Sequence, residues 1–474
     1  MDHTHTAEAR RVYEAQRARR RATGAPDAAE RIRRLERLAA AVRARRGELA
    51  AAIHADFRKH PTESELTEIQ QVLAEIRHAV RHLRRWMRPV RAGTPLALAG
   101  ARSELRYEPR GVVLVLSPWN YPVRLLLGPL VGALAAGNSV VLRPSEKVPE
   151  TGRALARVVA DAFREDEVAL VRGGVDVADA LLSLPFDHVF FTGSTAVGRR
   201  VMRAAAEHLS TVTLELGGKS PALVDASADV RTAAERIAWG KMINAGQTCV
   251  APDYVLVHES RAAELVAELK AAVARLYGAT EEARRGCDSF CRVVDDGAFA
   301  RLARLLEASV REGARVETGG VTDAAERYVA PTVLSGATWE MPVMGEEIFG
   351  PILPVLTFGS LDEALERINA RPKPLALYVF ARSRPVVERV LSGTSAGGTV
   401  VNHVVLHLAN PDLPFGGVGE SGQGSYHGRF GFRTFSHERA VLVQGRFSAA
   451  KWLYPPYTER VRRMAERVGR MLGG

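Results

Sequence analysis

Cysteine is scarce in this chain, with three residues among 474: Cys249, Cys287 and Cys291. Three thiols are too few, and odd in number, for the disulfide framework that stabilises many secreted proteins. The first 21 residues carry acidic side chains and lack the apolar core of a secretory signal. We therefore expect free thiols and a cytoplasmic protein.

Long apolar runs are also missing. The longest, residues 123–141, is interrupted by Arg124, Pro129 and three glycines, which favours a buried helix and strand over a membrane span of about 20 residues. Residues 460–470 are basic and broken as an apolar segment. We therefore expect no membrane anchor.

Aromatic residues make up 6% of the chain and do not cluster with basic ones. The net charge of +11, from 65 basic and 54 acidic residues, would suit an anionic partner. Arginines alternate with glutamates in segments such as 31–48, however, which is typical of a solvated helix face. Because clusters that stack nucleobases are missing, we expect no nucleic-acid partner.

The hydrophobic pattern predicts an α/β fold. Residues 1–90 have helical spacing and predict two or three helices. Residues 86–106 interrupt this pattern, and we interpret them as an excursion, a segment that leaves the domain and then returns to it. From Gly111 short apolar runs alternate with helical stretches, which predicts parallel strands. The predicted strands are 105–109, 112–116, 139–142, 168–171, 187–191, 211–216, 254–257, 329–333, 352–358 and 376–380. The predicted helices are 123–136, 152–163, 195–206, 230–245, 262–277, 298–312 and 361–368, and the region after 410 is rich in glycine and turn residues.

Two motifs indicate covalent chemistry. Glu215 ends an apolar run within residues 214–221, and Cys249 lies in a small-residue turn, residues 244–253. A thiolate adds to a carbonyl to give a covalent intermediate, and a separate base must then activate the water that releases it. The alternatives are an inert buried thiol and a glutamate that pairs with Lys219.

Residues 191–198 join a predicted strand to a predicted helix. Their backbone N–H groups and the helix N-terminus suit a phosphate, although the segment differs from the usual Gly-x-Gly-x-x-Gly fingerprint and is also a common structural joint. Arg143 and Glu146 follow the strand 139–142. A carboxylate there accepts hydrogen bonds from ribose hydroxyls and a cation approaches a 2′-phosphate, while the alternative is an ordinary turn.

Asn120, in residues 117–122, follows the first strand of the alternating region. An amide N–H aimed at a carbonyl oxygen would stabilise an oxyanion, whereas a lone asparagine in a proline-rich loop is more often a turn residue. Residues 346–351 form a second acidic element, which contains Glu347 and Phe349. The alternative for this segment is a helix that ends at Gly-Pro. Cys287 and Cys291 lack a second ligand pair, so we expect no metal site.

These motifs together resemble the aldehyde dehydrogenase superfamily, and residues 236–243 and 251–254 most resemble its class 3 branch. The resemblance implies an aldehyde dehydrogenase-like fold of two parallel-sheet α/β domains with a small bridging element. The dinucleotide domain would be 1–85 and 107–215, the catalytic domain 216–405, and the bridging element and tail 86–106 and 406–474. It also implies a homodimer, with residues 454–457 resembling the class 3 tail.

The resemblance implies oxidation of an aldehyde to the acid with NAD or NADP, through a thiohemiacetal and a thioester on cysteine. The catalytic residues would be Cys249, Glu215 and Asn120. The cofactor-binding residues would be Trp119, Arg143, Glu146, Phe191, Thr192, Gly193, Ser194, Val197, Leu216, Glu347 and Phe349. Relatives usually carry lysine where Arg143 stands, and the planar fork of arginine suits phosphate, so NAD and NADP both remain open.

Further positions follow from the same resemblance. Tyr121, Ile243, Asn402 and His427 are expected near the substrate, with a structural histidine as the alternative for His427, and Glu347 is expected to share base duty with Glu215. Long-chain aliphatic, aromatic and coniferyl-type aldehydes all remain open. The alternative functions are an enzyme that passes the acyl group to coenzyme A and a catalytically silent binding or structural protein on the same scaffold.

Overall fold

The computed structural model describes residues 3–449, 451 and 454–472, and its first part is helical. The helices are α1 (His3–Thr23), α2 (Ala28–Ala44), α3 (Arg46–Phe57), α4 (Pro61–Ser64) and α5 (Gln70–Trp86), with a π-helical turn at Glu65–Ile69. The prediction of two or three helices is therefore wrong. The chain breaks at Arg45 and Arg58, which carry no glycine or proline signal, and Arg58 ends α3 in the left-handed conformation with φ 59°.

Two strands and an alternating region follow. The strands β1 (Val90–Ala92) and β2 (Ala101–Pro109) form the excursion. The alternating elements are β3 (Val112–Leu116), α6 (Pro122–Ala136), β4 (Ser139–Arg143), α7 (Pro149–Ala162), β5 (Val168–Leu170), α8 (Val175–Leu182), β6 (His188–Thr192), α9 (Thr195–Ala206) and β7 (Thr211–Glu215). The strands β3 to β7 pair in parallel, as predicted. Helix α8 is absent from the predicted elements.

The second alternating region forms a seven-stranded sheet in the order β10-β13-β14-β9-β8-β15-β16. Its elements are β8 (Pro221–Val224), α10 (Val230–Met242), β9 (Tyr254–His258), α11 (Ala262–Tyr277), α12 (Glu281–Arg285), α13 (Asp296–Arg311), β10 (Arg315–Thr318), β11 (Thr322–Asp323), β12 (Tyr328–Val329), β13 (Thr332–Ser335), α14 (Pro342–Gly345), β14 (Ile352–Phe358), α15 (Leu361–Asn369), β15 (Ala376–Phe380), α16 (Arg384–Gly393) and β16 (Gly398–Val401). The predicted helix 230–245 ends early, because Asn244 and Ala245 have φ of 53° and 49°. The predicted strand 329–333 is divided between β12 and β13.

The C-terminal part of the chain returns to earlier elements. It contains β17 (Gly422–Gln423), α17 (Gly428–Thr434), β18 (Ser436–Gln444) and α18 (Glu459–Leu472). β17 pairs antiparallel with β7 and completes a six-stranded sheet, and β18 pairs with β2 in a three-stranded antiparallel sheet. The basic segment 460–470 lies within α18. In the described residues no helix is long and apolar enough to cross a membrane.

The six-stranded sheet determines where the candidate site lies. Its order is β17-β7-β6-β3-β4-β5, and β3, β4 and β6 are buried at every residue, as expected of a parallel sheet covered on both faces. The carboxyl ends of β3, β6 and β7 therefore lie side by side. Ligands of open α/β sheets bind at this edge.

Candidate active site

Many of the predicted cofactor residues line one cleft of about 950 Å³ at this edge. These residues are Trp119, Arg143, Glu146, Phe191, Thr192, Gly193, Ser194 and Val197. The cleft continues into a cavity of about 320 Å³. The remaining predicted residues, Asn120, Glu215, Leu216, Cys249, Glu347 and Phe349, line that cavity. The structure thus brings all the predicted site residues into two adjoining spaces.

The start of α9 has the features of a phosphate site. Ser194 caps this twelve-residue helix, with its side chain accepting a hydrogen bond from the Val197 N–H at 3.4 Å. A Cβ at Gly193 would lie 2.5 Å from the Phe191 ring, so the glycine keeps the backbone accessible. The buried Thr192 hydroxyl has no hydrogen-bond partner in the described chain. Exposed backbone N–H groups and an unpaired hydroxyl fit the phosphates of a dinucleotide.

Arg143 is held by groups of the chain itself. Its guanidinium donates to the carbonyl oxygens of Gly173 and Gly174 at 2.9 and 2.7 Å, and it pairs with Glu146 at 2.7 Å. The Glu146 side chain remains about two-fifths exposed. The cleft therefore presents a carboxylate whose position is set by a buried arginine.

The loop after β3 is joined to the loop that carries the thiol. One Asn120 amide N–H donates to the Gln247 carbonyl oxygen at 3.0 Å, and the Asn244 amide donates to the Asn120 carbonyl oxygen at 2.9 Å. The Gln247 amide donates to the carbonyl oxygens of Asn244 and Arg292. Because an asparagine side-chain amide has two N–H groups, Asn120 has one more to offer to a ligand in the cavity.

Asn244 and Gln247 hold the two loops of the candidate site together, and the sequence reasoning missed them. Asn244 adopts a left-handed backbone conformation, which asparagine tolerates better than most residues. An asparagine-containing turn before the cysteine was the one signal that pointed to them. Their bonds make Asn120 and Cys249 parts of a single rigid unit.

Glu215 is 2% exposed, and neither carboxylate oxygen has a hydrogen-bond partner in the described residues. Burial raises its pKa well above the ordinary value. The alternative pairing of Glu215 with Lys219 is wrong. The Lys219 ammonium bonds to Asp253 and to the carbonyl oxygens of Val343 and Glu346 instead. Glu215 is therefore a buried carboxyl group free to exchange a proton with something in the cavity.

The Cys249 thiol and the Glu347 carboxyl both prefer their protonated forms. Burial, together with the charges of Glu347 and Glu215, raises the pKa of Cys249 to about 12. Burial and the nearby Asp253 raise the pKa of Glu347 to about 8. The carboxylate of Glu347 also lies close to Gly217, where an added Cβ would be 2.0 Å from its Oε2. A thiolate at Cys249 thus requires a base, and two carboxyl groups are close enough to affect it.

A second cavity of about 210 Å³ reaches Cys249. It is lined mostly by apolar and aromatic side chains, including Leu125, Trp239, Ile243 and Phe415. Tyr121 also lines it, with its hydroxyl 2.8 Å from the Thr248 hydroxyl. We call this cavity the side channel.

Of the other residues expected near the substrate, one lines the side channel and one does not. His427 lines the side channel and is buried, with Nδ1 3.5 Å from a Glu75 carboxylate oxygen. Asn402 does not line either cavity; its side-chain amide accepts from and donates to the backbone of Ala381. Cys287 and Cys291 are free thiols that line neither cavity.

Comparison with known proteins agrees with this arrangement. The family model described as "Aldehyde dehydrogenase family" matches residues 1–441. A Pseudomonas aeruginosa protein named probable coniferyl aldehyde dehydrogenase is 43% identical over 458 residues, covering 96% of this chain and 95% of the relative. Aldehyde dehydrogenase family 3 member B1 of Rattus norvegicus is 46% identical over 432 residues, or 91% of each chain.

A solved structure shows the same fold. The substrate-bound Staphylococcus aureus AldH superposes with a TM-score of 0.92 at 39% identity, covering 97% of this chain and 99% of that one. The chain belongs to the aldehyde dehydrogenase family and oxidises an aldehyde to the carboxylic acid with NAD or NADP.

Proposed function

We propose that Cys249 is the nucleophile of this oxidation, that Asn120 binds the oxyanion and that Glu215 activates the hydrolytic water. One observation supports these roles above the others. The thiol, the amide and an unpaired buried carboxyl group line one cavity between a dinucleotide-sized cleft and an apolar side channel. A nucleophile, an oxyanion donor and a base in one cavity are the parts that acyl chemistry on a thiol needs.

Acylation begins with removal of the thiol proton. Because the pKa of Cys249 is about 12, a base must take that proton, and Glu347 becomes able to accept it as the pH approaches its own pKa of about 8. The sulfur then bonds the aldehyde carbon, and the carbonyl electron pair moves to oxygen. The free Asn120 N–H and the Cys249 backbone N–H hold that oxygen, and loss of one such donor costs about 2.7–4 kcal/mol of barrier.

The cleft residues hold the cofactor during the oxidation. The start of α9 with Thr192 and Ser194 would bind its phosphates, Glu146 a ribose, and Trp119 and Phe349 would pack beside the nicotinamide. When bound there, the nicotinamide would supply the hydride acceptor that oxidation of the thiohemiacetal requires. Trp119 and Phe349 contact each other edge to face, with ring centroids 5.4 Å apart.

Hydrolysis then releases the acid from the Cys249 thioester. Glu215 removes a proton from water, which attacks the acyl carbon while the sulfur leaves. Its raised pKa makes it a stronger base than an exposed glutamate. Because a base beside the thioester activates water, the position of Glu215 in this cavity favours water over coenzyme A as the acceptor.

Replacement of Cys249 by alanine tests this assignment. We expect Cys249→Ala to abolish NAD(P)H formation from aldehydes while cofactor binding persists. Cys287→Ala is the matched control, because that thiol is half-buried and lies outside both cavities, and it should retain turnover. Continued turnover by Cys249→Ala would contradict the assignment, and formation of an acyl-CoA on addition of coenzyme A would contradict the preference for water.

We also propose that the chain divides into three parts: 1–85 with 107–215, 216–405, and 86–106 with 406–474. We further propose that it assembles into a homodimer. The nine-residue strand β18 supports the dimer, since it lies at the edge of its sheet and is mostly exposed. An exposed edge strand is a template for pairing with a second chain. Light scattering should give twice the 51.5 kDa chain mass, and the monomer mass would contradict the proposal. A cytoplasmic location fits a reaction that needs a reduced thiol.

A further inference from the structure

The side channel carries one formal charge among the residues that line it in the described chain. That charge is the guanidinium of Arg124, on the first turn of α6. No aspartate or glutamate of the described chain lines this channel. His427 also lines it, but burial lowers the pKa of its imidazole, which favours the neutral ring. The channel is therefore an apolar space with a single positive group.

Arg124 lacks a carboxylate partner within the described chain. One of its terminal nitrogens donates to the Leu408 carbonyl oxygen at 2.9 Å, and its other N–H groups have no acceptor among the residues that the structure describes. The two neighbouring carboxylates are engaged elsewhere. Glu68 pairs with the Lys59 ammonium at 2.8 Å, and Glu75 accepts from the Gly428 N–H and faces His427.

An unpaired guanidinium in an apolar cavity has a strong preference for an anion. Charge-assisted hydrogen bonds are shorter and stronger than neutral ones, and the planar guanidinium matches a carboxylate in a bidentate manner. Water is the competitor in an open site, but the aromatic and aliphatic lining of this channel reduces the dielectric response that would screen the pair. A ligand that brings its own carboxylate would supply the missing acceptor.

Building on the proposed function of this site, we propose that the substrate is an aldehyde that bears a carboxylate at the end remote from its carbonyl. Cys249 would bind the carbonyl carbon, and Arg124 would bind the carboxylate. Both residues line the same cavity of about 210 Å³. A short or aromatic spacer between the two groups would therefore fit better than a long chain.

A different role is available to Arg124. The bond to Leu408 braces the turn at Leu406–Ala409, and the aliphatic stem of an arginine can pack against an apolar substrate. In that case the guanidinium would be a support for the channel wall and would not select among aldehydes. The two roles differ in how a substrate carboxylate changes turnover.

A pair of matched aldehydes separates these roles. We would compare kcat/KM for 4-formylbenzoate and for 4-methylbenzaldehyde, which replaces the carboxylate by a methyl group, at saturating NAD. The wild-type chain should favour 4-formylbenzoate by about tenfold or more, the value of one or more hydrogen bonds to a charged group. Arg124→Gln should reduce that ratio about tenfold, mainly through KM, and Arg124→Lys should restore part of it.

Arg311→Gln is the control, because this exposed arginine pairs with Glu307 on the surface, and it should leave the ratio unchanged. A wild-type enzyme that prefers 4-methylbenzaldehyde, with an Arg124→Gln ratio equal to that of wild type, would overturn the inference and leave the proposed function intact. If wild type oxidises neither compound nor hexanal, the proposed function fails and the inference fails with it.

Discussion

The buried ion pair between Lys59 and Glu68 should stabilise both the fold and the loop after β3 that carries Asn120. Both side chains are 0% exposed, with the ammonium 2.8 Å from one carboxylate oxygen. The other oxygen of Glu68 accepts from the Val123 N–H at 2.9 Å, at the start of α6. The Lys59 ammonium also lies 4.0 Å from the centroid of the Tyr121 ring. This pair therefore fixes the segment that directly follows Asn120.

Removal of one partner would leave a buried charge uncompensated. Such changes cost about 3–5 kcal/mol, so we expect Lys59→Met and Glu68→Gln each to lower the free energy of unfolding by about that amount. In the double variant both charges are gone and the glutamine oxygen can still accept from Val123. Its cost should therefore be below that of either single change, and well below the sum of the two.

Urea unfolding of the wild type, both single variants and the double variant measures this coupling. Arg311→Met, which removes an exposed surface pair, is the control and should leave the urea midpoint nearly unchanged. Activity gives a second readout, because loss of the Lys59–Glu68 ion pair should allow the start of α6 to shift, displace Asn120 and lower kcat more than cofactor affinity. Single costs below about 1 kcal/mol, or costs that add in the double variant, would refute the reasoning.

Two further predictions concern the carboxyl groups of the site. Because burial raises the pKa of Glu215, steady turnover should rise with pH as this group loses its proton. Glu215→Gln should remove that rise and slow steady turnover more than the first burst of reduced cofactor. A Glu215→Gln pH profile that matches wild type would transfer the base role to Glu347. Glu146→Gln should raise kcat/KM for NADP relative to NAD by about tenfold, because a partly exposed carboxylate repels a 2′-phosphate. An unchanged ratio would place the ribose elsewhere.

The raised pKa of Glu215 also affects stability. The folded chain keeps this proton to a higher pH than the unfolded chain, whose glutamates have a pKa of about 4.3. The stability it contributes is complete below that value and is lost as the pH rises through the raised pKa. Burial of this proposed base therefore lowers the stability of the fold at neutral pH, as is common at functional sites.

Local patterns were sufficient for the alternating part of the fold. Strands such as β3 and β14 are short apolar runs between turn residues, and helices such as α9 and α11 show clear amphipathic spacing, so their bounds were predictable within a few residues. β8 was missed because it has four residues and starts at a proline. β17 and β18 pair with strands far away in the chain, and no local pattern predicts such pairings.

The site residues were predicted by motif, whereas their supports were not. Asn120, Glu215 and Cys249 lie at strand ends or in turns with distinctive neighbours. The bonds that hold them come from Asn244, Gln247 and the N-terminal helices, which are distant in sequence or ordinary in type. Glu215 is unpaired because Lys219 bonds to Asp253 instead. This choice of partner depends on three-dimensional packing. Resemblance pointed to the candidate reacting groups, and the geometry shows which groups surround them.

The most direct test of the central claim is the mass of the enzyme during turnover. Glu215→Gln should be mixed with aldehyde and NAD, quenched in acid and digested, and the peptide that contains Cys249 should be weighed. We predict that this peptide gains the mass of the acyl group, while the peptides containing Cys287 and Cys291 do not. An unmodified Cys249 peptide in a sample that has formed NADH would contradict the covalent mechanism.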